Sequence, residues 1–343
     1  MHQLLNTLYV TTENSYLRLD HDTLKVNVEK ETKLQVPLHH LGGVVCFGDV
    51  LVSPALMRRC GEDGRALVLF DRNGRFKARL EGPTSGNVLL RRAQYEASCD
   101  REKTLSIAQK VVAGKIQNCR QVLMRAAREA EQSEDEQPLR EAAETLADTL
   151  SRLPRCDDLD QLRGFEGESA RAYFSCFDRM VREDRDSFRL DGRNRRPPLD
   201  PMNALLSFLY ALLTNDCVAA AEGVGLDPQV GFLHALRPGR AALALDLVEE
   251  LRAILADRLA LTLVNRRQVT ASNFEDRPGG AVYLGEEGRK AVVVAYQNRK
   301  QEEILHPLLE QKIPLGLVPH VQARLLARFL RGDMDDYVPF LSR

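Results

Sequence analysis

Two hydrophobic periods divide the chain. Up to residue 71 the apolar residues come in short runs with partial alternation, the pattern of β-strands. Leu8-Tyr9-Val10, Tyr16-Leu17-Arg18-Leu19 and Leu24-Lys25-Val26-Asn27-Val28 are broken by Glu13-Asn14-Ser15 and Asp20-His21-Asp22, which predicts a meander of hairpins. Residues 33–37, 43–47 and 65–70 read as further strands, and Pro54 suits the first turn of a short helix over 55–62. After Asn87 the period lengthens to about 3.6. Helices are predicted over 88–99, 101–130, 139–153, 203–222 and 320–330, with a helix-rich stretch over 157–182. Residues 131–137 and 182–201 read as loops, and 298–311 as a helix interrupted at Pro307. A short strand or turn at 279–284 has an apolar partner run at 291–296. Glycine, proline and small polar residues at 81–87 mark the change of period. The expected fold is therefore α+β: a small N-terminal β-rich domain over 1–85, then a larger all-α domain over 86–343.

With 343 residues the chain is long enough for two domains, and its net charge of −1 excludes a polycation. Any nucleic-acid contact must rest on local patches. Two are present. Between Lys103 and Arg128 there are six basic residues and no acid, and the 182–201 loop carries six arginines against five acids. Lys110, Lys115 and Arg120 of the first patch, with Arg163 and Arg240, are the candidate DNA-binding residues. A solvated helix face paired to acids elsewhere is the alternative. The seven cysteines are scattered without CxxC spacing, which suits buried thiols in a reducing cytoplasm. The N-terminus lacks a signal-peptide pattern, and 203–222 is too short and interrupted to suggest a membrane span.

The chemistry centres on residues 225–257. A Gly-Leu-Asp-Pro turn leads to His234, then Pro238-Gly239, then a helix bearing Asp246 and Glu249. Three residues are about 300° of helical rotation, so the two acids share a face beside an apolar stripe. A carboxylate there needs a cation or donors. Arg252 and Arg240 are the ordinary partners, and a metal ion is the sharper one. Upstream, Glu166 stands between Gly164 and Gly167, where the glycines would let other backbone approach the acid; a surface glutamate near a helix start is the alternative. One nitrogen with carboxylate oxygens suits Mg2+ or Mn2+ better than structural zinc. Neither GxxxxGK[ST] nor HExxH occurs, and GLDPQVG lacks the lysine of a phosphate loop.

Taken together, Arg163-Gly164-Phe165-Glu166-Gly167, Asn203-Ala204-Leu205-Leu206-Ser207-Phe208, Gly225-Leu226-Asp227-Pro228 with Gly231-Phe232-Leu233-His234, and Leu245-Asp246-Leu247-Val248-Glu249-Glu250-Leu251-Arg252 resemble the CRISPR-associated adaptation integrases, the Cas1 family. LYVTTENSYLRLD near the start and HVQARLLARFLRGD near the end resemble the subtype I-C branch. The resemblance spans the chain. It implies an N-terminal β domain used for dimerisation and a helical catalytic domain. It assigns the metal ligands to Glu166, His234 and Glu249, with Asp246 in a supporting catalytic role; helix geometry alone does not separate the two acids. Val248 and Leu251 stand where the family often has methionine and phenylalanine. The implied reaction is metal-dependent phosphoryl transfer: a prespacer 3′-hydroxyl attacks the repeat backbone of the CRISPR array, and the same site cuts DNA. The implied partners are DNA, a second copy of the chain, and the small protein Cas2 in a hetero-hexamer. The competing readings are a stand-alone metal nuclease of DNA repair or recombination, and a helical DNA-binding scaffold whose acids pair only with arginines.

Overall fold

The computed structural model describes residues 6–72, 74, 76–82, 88–190, 192–194 and 196–342. The chain divides into two compact units, Met1–Ser85 with Leu284–Val293, and Gly86–Tyr283 with Val294–Arg343. Most of the glycine-proline segment at 81–87 lies outside the described residues, as do Asn73, Asp191 and Arg195 of the expected turns and arm.

The first unit holds two four-stranded sheets. The hairpin signals produce β2 (Tyr16–Asp20), β3 (Thr23–Val28) and β4 (Glu31–Pro37), an antiparallel meander. The short strand Leu51–Val52 pairs parallel to β2. The other sheet joins β1 (Asn6–Val10), Leu41–Phe47 and Ala66–Phe70 in parallel, with Phe76–Arg79 antiparallel at its edge. Alternation alone cannot show such long-range parallel pairing. Leu17, Leu24, Val44, Cys46, Leu56 and Leu67 belong to one apolar cluster, sealed by α1 (Pro54–Glu62). Ser53 caps that helix by accepting from the Leu56 N–H at 3.3 Å.

The second unit is built on α3 (Arg101–Glu129), 29 residues and therefore about 44 Å long. It follows α2 (Val88–Cys99) and packs against α4 (Ser133–Arg152), α5 (Leu159–Ser175) and α7 (Ala242–Leu251). α4 absorbs the segment expected as a loop before Pro138. Pro138 lies inside the helix, where it removes one i→i−4 bond to the Glu134 carbonyl, while Glu134, Asp135 and Glu136 favour the helix start. α6 (Pro201–Val224) is long and apolar enough to cross a membrane, but 56% of its most apolar window is buried, against α7 and α10 (Val318–Leu330). Asp200 caps its start, and Gly225, at φ +91°, ends it.

The unit is not purely helical. Phe274–Arg277 pairs with Ala281–Leu284, and Glu303–His306 with Gln311–Pro314. Residues 291–296, expected as a strand, lie inside the helix Glu286–Gln301, whose first half counts with the first unit. The helix expected over 298–311 is mostly the second of these hairpins, because Pro307 removes a donor where a helix would need it.

Candidate active site

Three helices and one loop of the second unit supply the site. α5 begins at Asp158, whose carboxylate accepts from the N–H groups of Asp160 and Gln161, and carries Glu166 two turns later. α3 presents Lys115, 2% exposed. α7 presents Asp246 and Glu249, 1% and 5% exposed. The Lys115 ammonium contacts Glu166 and lies 2.6 Å from Oε2 of Glu249, so one cation joins two helices' carboxylates.

His234 arrives on the loop between α6 and α7. Its first part is pinned from α2: the Gln94 amide donates to the carbonyls of Asp227 and Val230 at 2.8 and 2.7 Å and accepts from the Asp227 N–H, while Tyr95 donates to the Asp227 carboxylate at 2.9 Å. Gly231 then passes so close to α7 that an added Cβ would meet the Ala242 carbonyl carbon at 2.6 Å and Asp246 Oδ2 at 2.7 Å. That approach lets the Asp246 carboxylate collect the backbone. Oδ2 accepts from the N–H groups of Phe232 and Leu233 at 2.6 and 3.1 Å, and Oδ1 accepts from the His234 N–H at 3.0 Å. Oδ1 also lies 2.7 Å from His234 Nδ1. A carboxylate only accepts, so Nδ1 is the donor to Asp246 and Nε2 is the nitrogen turned toward Glu249. Nε2 lies 3.9 Å from Oε1 of Glu249. Arg163, one turn before Glu166, clamps the Leu233 carbonyl with Nε and Nη2, both at 3.0 Å.

Burial would push the Glu249 carboxyl up, but Arg252, Lys115 and His234 together pull it below its ordinary value. Arg252 Nη1 reaches Glu249 Oε2 at 3.0 Å. It opens a π-helical segment, Arg252–Asp257, that joins α7 to α8 (Arg258–Asn265). Such wide turns recur at functional sites. Glu250, the next acid, points away. Its carboxylate accepts from Tyr337, Gln322 and the Phe340 N–H at 2.5, 2.9 and 2.8 Å. Asn118 of α3 binds the carbonyls of Glu250 and Phe340. Gly114 permits the packing, since a Cβ there would meet Pro339 at 2.9 Å. The last residues thus brace α3 against α7 one turn from Lys115.

Glu166, His234, Asp246 and Glu249 therefore come together, and the expected glycine argument fails around Glu166. A Cβ on Gly164 or Gly167 would meet nothing within 4 Å. The close approach occurs at Gly231 instead. Lys115, expected on a DNA-binding surface, is buried between Glu166 and Glu249 and faces no solvent. Its place was legible as position i+4 from buried Val111 and i−4 from buried Cys119. Lys110 pairs with Asp336, and Arg163 holds the loop and Asp160. Arg240 reaches the Ala235 carbonyl at 3.5 Å, and Arg120 is half-buried. Gln94 and Tyr95 carry no recognisable signal in a single sequence.

Among the described residues, no group of three His, Cys, Asp or Glu side chains closes into a metal cage. The donors nevertheless fit a divalent cation. Two carboxylates already share one buried positive charge, and an imidazole with its far nitrogen fixed turns the near one toward them.

A family model described as "CRISPR associated protein Cas1" matches residues 8–298. A CRISPR-associated endonuclease Cas1 of Moorella thermoacetica is 62% identical over 343 residues, covering 100% of both chains. One of Rhodospirillum rubrum is 52% identical over 344 residues and covers 99% of each. Among solved structures, the Cas1 protein of Thermotoga maritima superposes with a TM-score of 0.82 at 23% identity, over 97% of this chain and 99% of that one. A casposase bound to an integration product gives 0.84 at 22%, over 97% and 93%. A chain of a Cas6-RT-Cas1–Cas2 complex gives 0.85 at 22%, over all of this chain and 37% of that one. At these identities the likeness is one of fold.

Proposed function

The chain belongs to the Cas1 family, and on that premise we propose that it is a CRISPR adaptation integrase with associated DNA endonuclease activity. It joins the 3′-hydroxyl ends of a prespacer to the repeat of a CRISPR array by phosphoryl transfer. The observation that carries this reading is the convergence of Glu166, His234 and Glu249 from two helices and a loop around one buried cationic position. These three side chains would hold Mg2+ or Mn2+, which when bound supplies Lewis-acid polarisation of the phosphodiester. Asp246 fixes the His234 tautomer and ties its backbone to α7. Arg163 holds the same loop from the Glu166 side. Arg252 keeps the Glu249 carboxylate charged and fixes its angle. Burial of Lys115, Glu249 and Arg252 strengthens the ion pairs among them.

The proposed partners are DNA, a second copy of the chain contacting through the N-terminal β-rich unit, and Cas2 in a hetero-hexamer. Cytoplasm is the proposed compartment, and subtype I-C the proposed branch. The neighbouring structures, a Cas6-RT-Cas1–Cas2 complex and a casposase bound to an integration product, support the partners and the reaction class. The test is a strand-transfer assay with a 3′-hydroxyl donor and a repeat-containing target. Joined product supports the integrase; hydrolysis alone supports a stand-alone nuclease. The ion pairs of Glu249 with Lys115 and Arg252 also suit a metal-free DNA-binding scaffold. On that reading, Mn2+ leaves thermal stability unchanged.

A further inference from the structure

A small cavity of about 10 Å3 adjoins Lys115. Lys115 and Cys119 of α3 line it, with Ser169 and Tyr173 of α5 and with Arg252 and Asp257 from the two ends of the π-helical segment. The π-helical register puts those last two on one wall. Five residues of α-helix would leave Asp257 about 140° around the axis from Arg252, whereas i→i+5 bonding brings residues five apart to the same side. Four of the lining residues carry polar atoms left over from the packing. Ser169 Oγ, Tyr173 Oη, Arg252 Nε and Asp257 Oδ2 are buried, and none has a hydrogen-bond partner among the described residues. Buried polar groups are nearly always bonded, so four such atoms around one cavity call for an explanation. Two are hydroxyls and one is a carboxylate oxygen, all able to accept.

Asp257 is the acid of this group. Its Oδ1 accepts from the Tyr210 hydroxyl at 2.6 Å. Burial pushes its carboxyl up, against the Tyr210 bond and the charges of Arg252 and Arg193. It is thus a buried carboxylate with one oxygen satisfied and one open to a further donor. Next to it stands a cation with a competitor for its place. Glu166 and Glu249 bring two negative charges, and Lys115 and Arg252 bring two positive ones. A divalent ion on the same carboxylates would set four positive charges against two, and like charges repel strongly where water is excluded.

We propose that the cavity is a second seat for the Lys115 ammonium, which holds Glu166 and Glu249 together in the metal-free protein and moves onto Asp257 Oδ2, Ser169 and Tyr173 when a divalent ion takes its place. The proposal rests on the metal site assigned above. The volume suits one group the size of water, and an ammonium is such a group. Three N–H donors meet three acceptors. The Lys115 side chain already lines the cavity, so a change of rotamer reaches it without moving α3. Arg252 does not bar the way. It and Lys115 already share Oε2 of Glu249, so the seat brings Lys115 no new like-charge neighbour. Lys115 would then keep the empty site folded and its carboxylates charged, and Asp257 would be the positioning residue that receives it.

The experiment is a Mn2+ titration of the full chain, read by the electron paramagnetic resonance of free Mn2+, with Asp257→Asn and Tyr173→Phe each made in two backgrounds, wild type and Lys115→Met. Tyr173→Phe removes a hydroxyl that bonds nothing in the metal-free protein, so it should melt no lower than its parent in EDTA. In the wild-type background Asp257→Asn should weaken Mn2+ binding about tenfold, the loss typical of a supporting partner, and Tyr173→Phe by less. In the Lys115→Met background neither substitution should change Mn2+ affinity, because no ammonium needs the seat. Equal losses in both backgrounds would overturn the proposal, since Asp257 and Tyr173 would then only shape the site. Unchanged affinity in the wild-type background would overturn it too. Absence of Mn2+ binding in both parents would overturn the metal site and the seat together, and so separates that failure from failure of the seat alone.

Discussion

The ammonium of Lys115 lies 2.6 Å from Oε2 of Glu249 and also contacts Glu166, so a buried lysine holds together carboxylates from two helices. Removing one member of a buried ion pair leaves uncompensated charge. Lys115→Met should therefore lower the stability of the metal-free protein by about 3 kcal/mol. If the same two carboxylates hold a divalent ion, Mn2+ should raise the melting temperature of the variant more than that of wild type. Thermal melting with and without Mn2+ measures both, and an equal metal shift in the two proteins would contradict competition for one position.

Gly231 is the tightest point of the histidine loop. Gly231→Ala places a methyl group 2.7 Å from Asp246 Oδ2 and 2.6 Å from the Ala242 carbonyl carbon. The loop must move away from α7, at about 1–3 kcal/mol, the usual range for overpacking. Strand transfer should fall further than stability does. Gly164→Ala, with open space around its Cβ, should leave both nearly unchanged. Urea unfolding and the strand-transfer rate on the two variants decide this.

Asp246→Asn keeps the shape and removes the charge. One amide oxygen cannot replace two carboxylate oxygens that accept three backbone N–H groups and face His234 Nδ1. Loss of such a supporting partner reduces metal affinity or activity about 10–100-fold. The expected result is a folded protein with activity reduced in that range and a weaker Mn2+ response. An unchanged rate would place His234 outside the reaction.

The Asp135 carboxyl is held below its ordinary value chiefly by Arg185, with burial opposing and Arg179 assisting. A depressed acid stabilises the fold above its unfolded pKa, and that contribution disappears as pH falls through the folded value. Asp135→Asn should thus be less stable than wild type at neutral pH, and the difference should shrink as pH drops below about 4. Denaturant midpoints across that range test the sign. A difference that grows on acidification would contradict it.

Much of this was visible in the residues. The β2–β3–β4 meander follows from alternation and turn chemistry, and α3, α6 and α10 follow from their apolar periods. The site acids and His234 were recognisable from their types, and their assignment from the family resemblance. Other features depend on tertiary context. Parallel pairing of β1 with Leu41–Phe47 needs contacts far apart in sequence. The π-helical segment after Glu249 changes the register that a 3.6-residue period would extrapolate. Lys115 was grouped with its basic neighbours because charge is read before burial, although Val111 and Cys119 put it on the inner face. The glycines at 164 and 167 have open space around them; the close approaches are at Gly231 against α7 and Gly114 against Pro339, which only the packing shows.

The most direct test of the central claim is strand transfer of a 3′-hydroxyl DNA donor into a repeat-containing target, with Mn2+ present, by Glu166→Ala, His234→Ala and Glu249→Ala. The account predicts joined product from wild type and none from any of the three, each of which still folds. Full joining by any one of them would contradict it.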